Sequence, residues 1–199
     1  MTARWIAFEG GDASGKSTQA RLLADHLDAV LTLEPGGTEL GQAIRSLVLD
    51  PRWARVDDRA EALLYAADRA QHLAEVVLPA LEAGRHVISD RSVASSLAYQ
   101  GGGRGLGVDE IGQLNDWATG GRRPDAYLFL VVEGEVATER LGDDLDRLEQ
   151  AGDEFHRRVD ATFRELADGS ADWVLVDGHG TIDEVAARVR SALEPILRS

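Results

Sequence analysis

The chain has 199 residues, and its 21 Lys plus Arg stand against 35 Asp plus Glu, a formal charge of −14. Hydrophobic residues at 44% are enough for a packed core, which excludes a disordered chain, while the acidic balance excludes a nonspecific nucleic-acid binder, because neutralising a phosphate backbone takes a basic stripe. The absence of cysteine excludes disulfides, thiolate metal sites and thiol catalysis, so any chemistry falls to carboxylates, Arg, Lys, His or hydroxyls.

In chain order, short β-branched runs alternate with longer helical patterns, the mark of a parallel sheet with crossover helices. Residues 4–9 form the first expected strand, 16–27 a helix and 29–33 a second strand. Helices follow over 39–49 and 58–82, the latter alanine-rich with Pro79 near its end. A short strand at 86–90 precedes a helix over 93–99, which runs into a glycine segment, 101–107, expected to be a flexible connection. Residues 108–117 are helical again, 126–132 have the apolar character of a strand buried on both faces, and a helix starts near Gly134. A charged segment at 140–152 precedes a helix ending near Ala167, and a strand at 173–177 and a helix over 181–197 come last. The expectation is one α/β domain over residues 1–199, a parallel five-stranded sheet flanked by helices, with a short polar lid at about 140–152. No apolar run approaches the roughly 20 residues that span a bilayer, and the stretch 1–9 is too short for a secretory leader. A cytoplasmic protein with no membrane partner is expected.

Directly after the first strand stands Gly10-Gly11-Asp12-Ala13-Ser14-Gly15-Lys16-Ser17-Thr18, which matches G-x-x-x-x-G-K-[ST] and opens the first helix. Glycines let backbone N–H groups turn inward around phosphate oxygens, and the helix N-terminus adds positive partial charge. Lys16 would bridge the terminal phosphates of ATP, and the Ser17 hydroxyl would hold Mg²⁺. Lys16 is the only lysine beside 20 arginines, and an arginine cannot replace a compact ammonium in a tight loop. The pattern points to the P-loop NTPase fold and leaves the second substrate open. A guanine-reading Asn-Lys-x-Asp needs another lysine, and large motor or helicase ATPases need more chain, so a small kinase is what the motif leaves.

Three further motifs choose among small kinases: Glu34-Pro35-Gly36-Gly37-Thr38, Ala67-Asp68-Arg69-Ala70-Gln71-His72, and Asp90-Arg91 followed by Ser95-Ser96-Leu97-Ala98-Tyr99-Gln100-Gly101. In this order and spacing they resemble the bacterial thymidylate kinase family. The resemblance runs through Leu114-Asn115 and Pro124-Asp125 to Asp183-Glu184-Val185, nearly the whole chain. It implies transfer of the γ-phosphoryl of ATP to dTMP with Mg²⁺, giving dTDP and ADP, in a homodimer. It also implies roles. Arg69 meets the thymine carbonyl edge, Tyr65 stacks on the base, and Ser96 and Tyr99 line base and sugar, with Glu34 and Gln100 in the same acceptor set. Arg91 clamps the acceptor phosphate, Arg45 meets the monophosphate, Asp90 joins Ser17 at the metal, and Asp12 lies near the sugar 3′ oxygen. Read without the resemblance, Arg69 is equally a surface arginine beside a core aromatic, Asp90-Arg91 a structural ion pair, and the proline-glycine motif any turn.

The phosphate loop holds no arginine, so the resemblance implies a lid arginine closing over the transferring phosphate, Arg140 or Arg147. The lid is about two residues shorter than the family's usual one and carries acids where bases are common. Leu33 and Ser92 also stand where the family usually has Arg and Tyr, and Ser92 is expected to remove an aromatic wall near the acceptor. Another pyrimidine monophosphate as acceptor, or a nucleotide-binding relative that has lost its lid chemistry, are the alternatives these departures raise. The five histidines, at 26, 72, 86, 156 and 179, have no ligand spacing and are expected to serve as surface or packing residues.

Overall fold

Strand β1 (Trp5–Glu9) is buried along its whole length, as a strand covered on both faces must be. In the computed structural model, which describes residues 2–11, 14–53, 55–132 and 146–198, it lies at the centre of one parallel sheet. The other strands are β2 (Val30–Leu33), β3 (Val87–Asp90), β4 (Ala126–Val131) and β5 (Trp173–Asp177), in the order β2-β3-β1-β4-β5. The pleat sends alternate side chains to opposite faces. Ile6 and Phe8 of β1, with Ala126, Leu128 and Leu130 of β4, pack against α1 (Lys16–Leu27) and α8 (Ile182–Arg198). Ala7, Tyr127 and Phe129 face the other layer, made by α2 (Glu39–Leu49), α3 (Asp58–His72) and α7 (Asp153–Asp168). Among the described residues no helix is long and apolar enough to cross a membrane.

Two expected helices are refined by the structure. The long helix over 58–82 is α3, a π-helical turn (Leu73–Val77) and α4 (Leu78–Glu82) in succession. Pro79 has no N–H for the carbonyl four residues back and its ring crowds that carbonyl, so a wider turn ahead of it relieves both problems. The second case is a correction. Helix α5 (Val93–Ser96) continues as a π-helical turn through Leu97–Gly103, so glycines 101–103 are helical and only residues 104–107 connect to α6 (Val108–Thr119). The glycines are there for clearance: a Cβ on Gly102 would collide with Thr162, and one on Gly103 would lie 2.6 Å from Phe155 Cε2 and 2.8 Å from Val159 Cγ2, all on α7. The helix expected near Gly134 and the first part of the lid lie outside the described residues.

Alanine is favoured over glycine inside a helix by about 1 kcal/mol, whereas overpacking a filled core costs about 1–3 kcal/mol. With two stiff α7 side chains inside 3 Å of the added methyl, the steric cost decides the sign at Gly103. Gly103→Ala should therefore lower the unfolding free energy by about 1 kcal/mol in urea denaturation; a gain in stability would mean the segment is the loose connection that its composition suggests.

Candidate active site

Parallel pairing sets Phe8 opposite Asp90, and the Arg91 N–H donates to the Phe8 carbonyl at 2.9 Å. The segments after β1 and β3 therefore leave the sheet side by side at its carboxyl edge, where open α/β sheets hold their ligands. After β1, Gly15 takes a left-handed conformation (φ 96°) to turn the chain into α1, and as N-cap it brings no side chain to that helix's first turn. Its first-turn N–H groups form the concave, positive end of a helix dipole, a ready anion site. Lys16, only 5% exposed, folds back over the loop, with Nζ donating to the Gly11 carbonyl at 2.5 Å and to Ser14 Oγ at 3.4 Å. Gly10 is buried at the loop's start, Thr18 is exposed on α1, and Asp12 and Ala13 lie outside the described residues.

Ser17 Oγ donates to Asp90 Oδ2 at 2.5 Å, so two hard oxygen groups from different strands' ends meet beside the loop. They fit Mg²⁺, which keeps most of its waters and takes one or two carboxylates together with phosphate oxygens. Among the described residues no three His, Asp or Glu gather into a cage that would hold a metal by protein alone.

Arg91 has φ 70°, a left-handed backbone that costs a non-glycine residue about 1 kcal/mol or more and is concentrated at functional sites. That turn carries its guanidinium over the phosphate loop: Nη1 donates to the Gly10 carbonyl at 3.2 Å and Ser95 Oγ at 3.0 Å, Nη2 to Tyr99 OH at 3.2 Å. Underneath lies Glu9, fully buried, which accepts from Ser92 Oγ at 2.8 Å and Ser95 Oγ at 2.6 Å. Burial pushes its carboxyl up to about 7, against the opposing pull of the Ser95 and Ser92 hydroxyls and the Arg91 charge.

On the other side, Tyr65 and Arg69 share one face of α3, one turn apart. Arg69 is 2% exposed and almost wholly engaged: Nε with Glu34 Oε2 at 2.7 Å, Nη1 with Ser96 Oγ at 3.0 Å and with Asn115 Oδ1, Nη2 with the Ser92 carbonyl at 3.0 Å. One Nη2 hydrogen is left without a partner among the described residues. Burial raises the Glu34 carboxyl, but the Arg69 charge and the His72 hydrogen bond outweigh it and hold the group below its usual range. His72 bridges Glu34 Oε1 and Thr32 Oγ1, at 2.7 Å each, and Asp68 accepts from the Gly36 N–H at 2.9 Å. Arg45, exposed on α2, donates from Nη1 to the Pro35 carbonyl at 2.9 Å.

Between these two groups opens a cavity of about 290 Å³. Of the residues singled out in the sequence, Lys16, Ser17, Glu34, Arg45, Tyr65, Arg69, Asp90, Arg91, Ser96, Tyr99 and Gln100 all line it. Gly10, Gly11, Ser14, Gly15 and Thr18 of the loop are not in the lining. Arg140 lies outside the described residues. Arg147 is not in the lining: it is 8% exposed, with Nη2 on Glu61 Oε2 at 2.5 Å and Nε on the Val48 carbonyl at 2.8 Å, built into the wall behind the cavity. Ser92 is buried, its hydroxyl donates to Glu9 Oε1, and it is not in the cavity lining. His72 does more than pack, since it ties Glu34 to β2. Glu9 and Glu61 are not singled out by the sequence, and Ser95 only as part of a motif; the one visible signal is a carboxylate ending an otherwise apolar strand.

The family model described as thymidylate kinase matches residues 8–189. Curated thymidylate kinases from Cutibacterium acnes and Synechococcus sp. are 44% and 48% identical, covering 99% and 97% of this chain and 99% and 96% of theirs. The crystal structure of thymidylate kinase from Ehrlichia chaffeensis superposes with a TM-score of 0.81 at 30% identity, covering 97% of this chain and 100% of that one.

Glu9 titrates near 4.5 in the unfolded chain and near 7 in the folded one, so between those values the folded state holds the extra proton. Its contribution to stability therefore falls as pH rises from about 4.5 to about 7 and is constant above. Glu9→Gln cannot ionise, so urea unfolding at about pH 5 and about pH 8 should show the variant gaining on the parent at the higher pH. An identical difference at both values would contradict the buried, protonatable carboxyl.

Proposed function

The chain belongs to the thymidylate kinase family on the P-loop NTPase fold, a phosphotransferase that passes the γ-phosphoryl of ATP to dTMP, and we propose that the groups around its cavity divide that reaction as follows. The ATP phosphates lie along the backbone of Gly10, Gly11, Asp12, Ala13, Ser14, Gly15, Lys16, Ser17 and Thr18. Lys16 exchanges its internal carbonyl partner for the terminal phosphates. Ser17 and Asp90 would hold Mg²⁺, which would neutralise phosphate charge. dTMP enters from the α3 side, its base against Tyr65 and facing Arg69, Ser96 and Gln100, its sugar beside Tyr99, with Glu34 fixing Arg69. Arg91 and Arg45 receive the acceptor phosphate, and Asp12 sits near the sugar 3′ oxygen.

One observation carries this reading: Lys16 and Ser17 of the phosphate loop line one and the same cavity as Tyr65, Arg69 and Arg91. Phosphoryl transfer demands little covalent help from protein, but it needs two anions brought in line and their charge neutralised. Arg91 supports that need directly, since its guanidinium reaches from the acceptor side to the Gly10 carbonyl of the donor loop. Arg140 is the lid arginine in this proposal, and Arg147 the anchor of the lid's end. A homodimer in the cytoplasm completes it, the pairing of two copies being supported by the exposed apolar Leu40 and Leu47 of α2 and Leu63 of α3.

ADP release should be fastest with dTMP among nucleoside monophosphates, and another preferred acceptor would overturn the assignment. Lys16→Ala should lower turnover by about 10³ or more while leaving the melting temperature near that of the parent, and full activity would reject the phosphate-loop role. Arg147→Ala takes one ionic partner from the buried Glu61, which keeps Arg104 and Gln100, and leaves the Val48 carbonyl without its donor, so it should cost on the order of 1–3 kcal/mol of stability. A drop in kcat with unchanged stability would instead make Arg147 the transition-state arginine.

A further inference from the structure

Glu61 lies one helical turn before Tyr65 on α3, is fully buried, and takes part in no step above. Its Oε1 accepts from Gln100 Nε2 at 2.9 Å and Arg104 Nε at 3.2 Å; its Oε2 accepts from Arg104 Nη2 at 2.9 Å and Arg147 Nη2 at 2.5 Å. Burial pushes the carboxyl up, but the hydrogen bonds from Arg104 and Gln100 and the charges of Arg104 and Arg147 outweigh it and hold the group below its usual range. It is therefore an ionised carboxylate, which only accepts hydrogen bonds.

An acceptor-only neighbour settles which end of a glutamine amide can face it. The Gln100 NH₂ is taken by Glu61, and its Oε1, which accepts nothing from the described residues, is the end left for the cavity that Gln100 lines. The same cavity is lined by Arg69, whose guanidinium can only donate. Thymine and uracil carry an N3–H donor next to the C4 carbonyl acceptor, which complements an amide oxygen and a guanidinium. Cytosine carries an N3 lone pair next to an amino group, which sets acceptor against acceptor and donor against donor. A site built to hydrogen-bond one pattern rejects the other strongly, because its own buried polar groups are left unpaired.

We propose that Glu61 is the positioning residue for base selection: by holding the Gln100 amide with its carbonyl toward the ligand, it makes the site accept a keto pyrimidine with an N3–H and refuse an amino pyrimidine. This rests on the reading of the cavity as the acceptor-nucleotide site. The π-helical turn at Leu97–Gly103 carries Tyr99 and Gln100 to the cavity on consecutive residues, so sugar contact and base reader are set by one piece of backbone. Glu61 joins that turn to α3 and, through Arg147, to the segment 146–149, of which Asp146, Leu148 and Glu149 also line the cavity.

The test compares kcat/KM for dTMP and dCMP in the parent, Glu61→Gln and Arg104→Met. The new amide at position 61 can offer its own NH₂, which frees Gln100 to turn over. The dTMP:dCMP ratio should fall by about tenfold or more through the nucleoside monophosphate KM, with the ATP KM unchanged. Arg104→Met loosens the same network but leaves the Glu61–Gln100 bond, so it should lower the melting temperature and keep the ratio. An unchanged ratio in Glu61→Gln, or an equal fall in Arg104→Met, overturns the proposal. If Glu61→Gln alone does not fold, Glu61→Gln with Arg147→Met removes the more deeply buried of the two cations left behind, Arg104 keeping Asp58, and gives the same readout. A parent enzyme with no preference for dTMP over dCMP would refute the acceptor-site reading itself, before any variant is compared, and the assignment of Glu61 with it.

Discussion

The pairing of β1 with β3 is the constraint on which the rest of the site depends. With Phe8 opposite Asp90 and the Arg91 amide on the Phe8 carbonyl, the chain after β1 and the chain after β3 come out as neighbours. The donor loop then has Asp90 within reach of Ser17, and Arg91 within reach of Gly10. A slip of one residue would turn every side chain of the strand to the opposite face, taking Asp90 from Ser17 and Glu9 from its two serines. Burial on both faces enforces the register, because Ile6 and Phe8 belong to one core and Ala7 to the other. Packing energy that has no catalytic role thus fixes the geometry that does.

The opposite wall is held by polar groups instead. Glu34, Arg69, His72 and Asp68 are all buried, and an arrangement of buried charges seldom stabilises a fold more than apolar residues of the same volume would. What such a network does supply is direction. Arg69 has four of its five N–H hydrogens committed, to Glu34, Ser96, Asn115 and the Ser92 carbonyl, so its plane is set before any nucleotide arrives. Glu61 does the same for Gln100. Preorganised donors and acceptors of this kind spare a bound ligand the cost of ordering them, which is where selectivity for a base can arise.

Local rules made much of this legible in the sequence. Helices α1 and α2 and strand β5 begin and end where their patterns place them, helped by Gly15 at one start and by Thr38 Oγ1, which accepts the Gly41 N–H, at another. The phosphate loop was readable because its chemistry is contiguous. Residues whose role depends on a distant partner were not. Glycines 101–103 look like a loop until α7, some fifty residues on, is packed across them. Arg147 looks like a lid cation until Glu61, 86 positions earlier, is found beneath it. The motifs around Glu34 and Asp68-Arg69, apparently separate, are one hydrogen-bonded unit, and nothing in either run of letters says so.

In the reaction proposed above, donor and acceptor phosphates meet in one continuous cavity, bridged by Arg91. Calorimetric titration with adenosine and thymidine joined through a single oligophosphate chain tests it most directly, since such a molecule can fill both halves only if they are contiguous and in line. Binding at least about a hundredfold tighter than that of ATP or dTMP alone, with one molecule per chain, is expected. Binding no tighter than the better single nucleotide would contradict it.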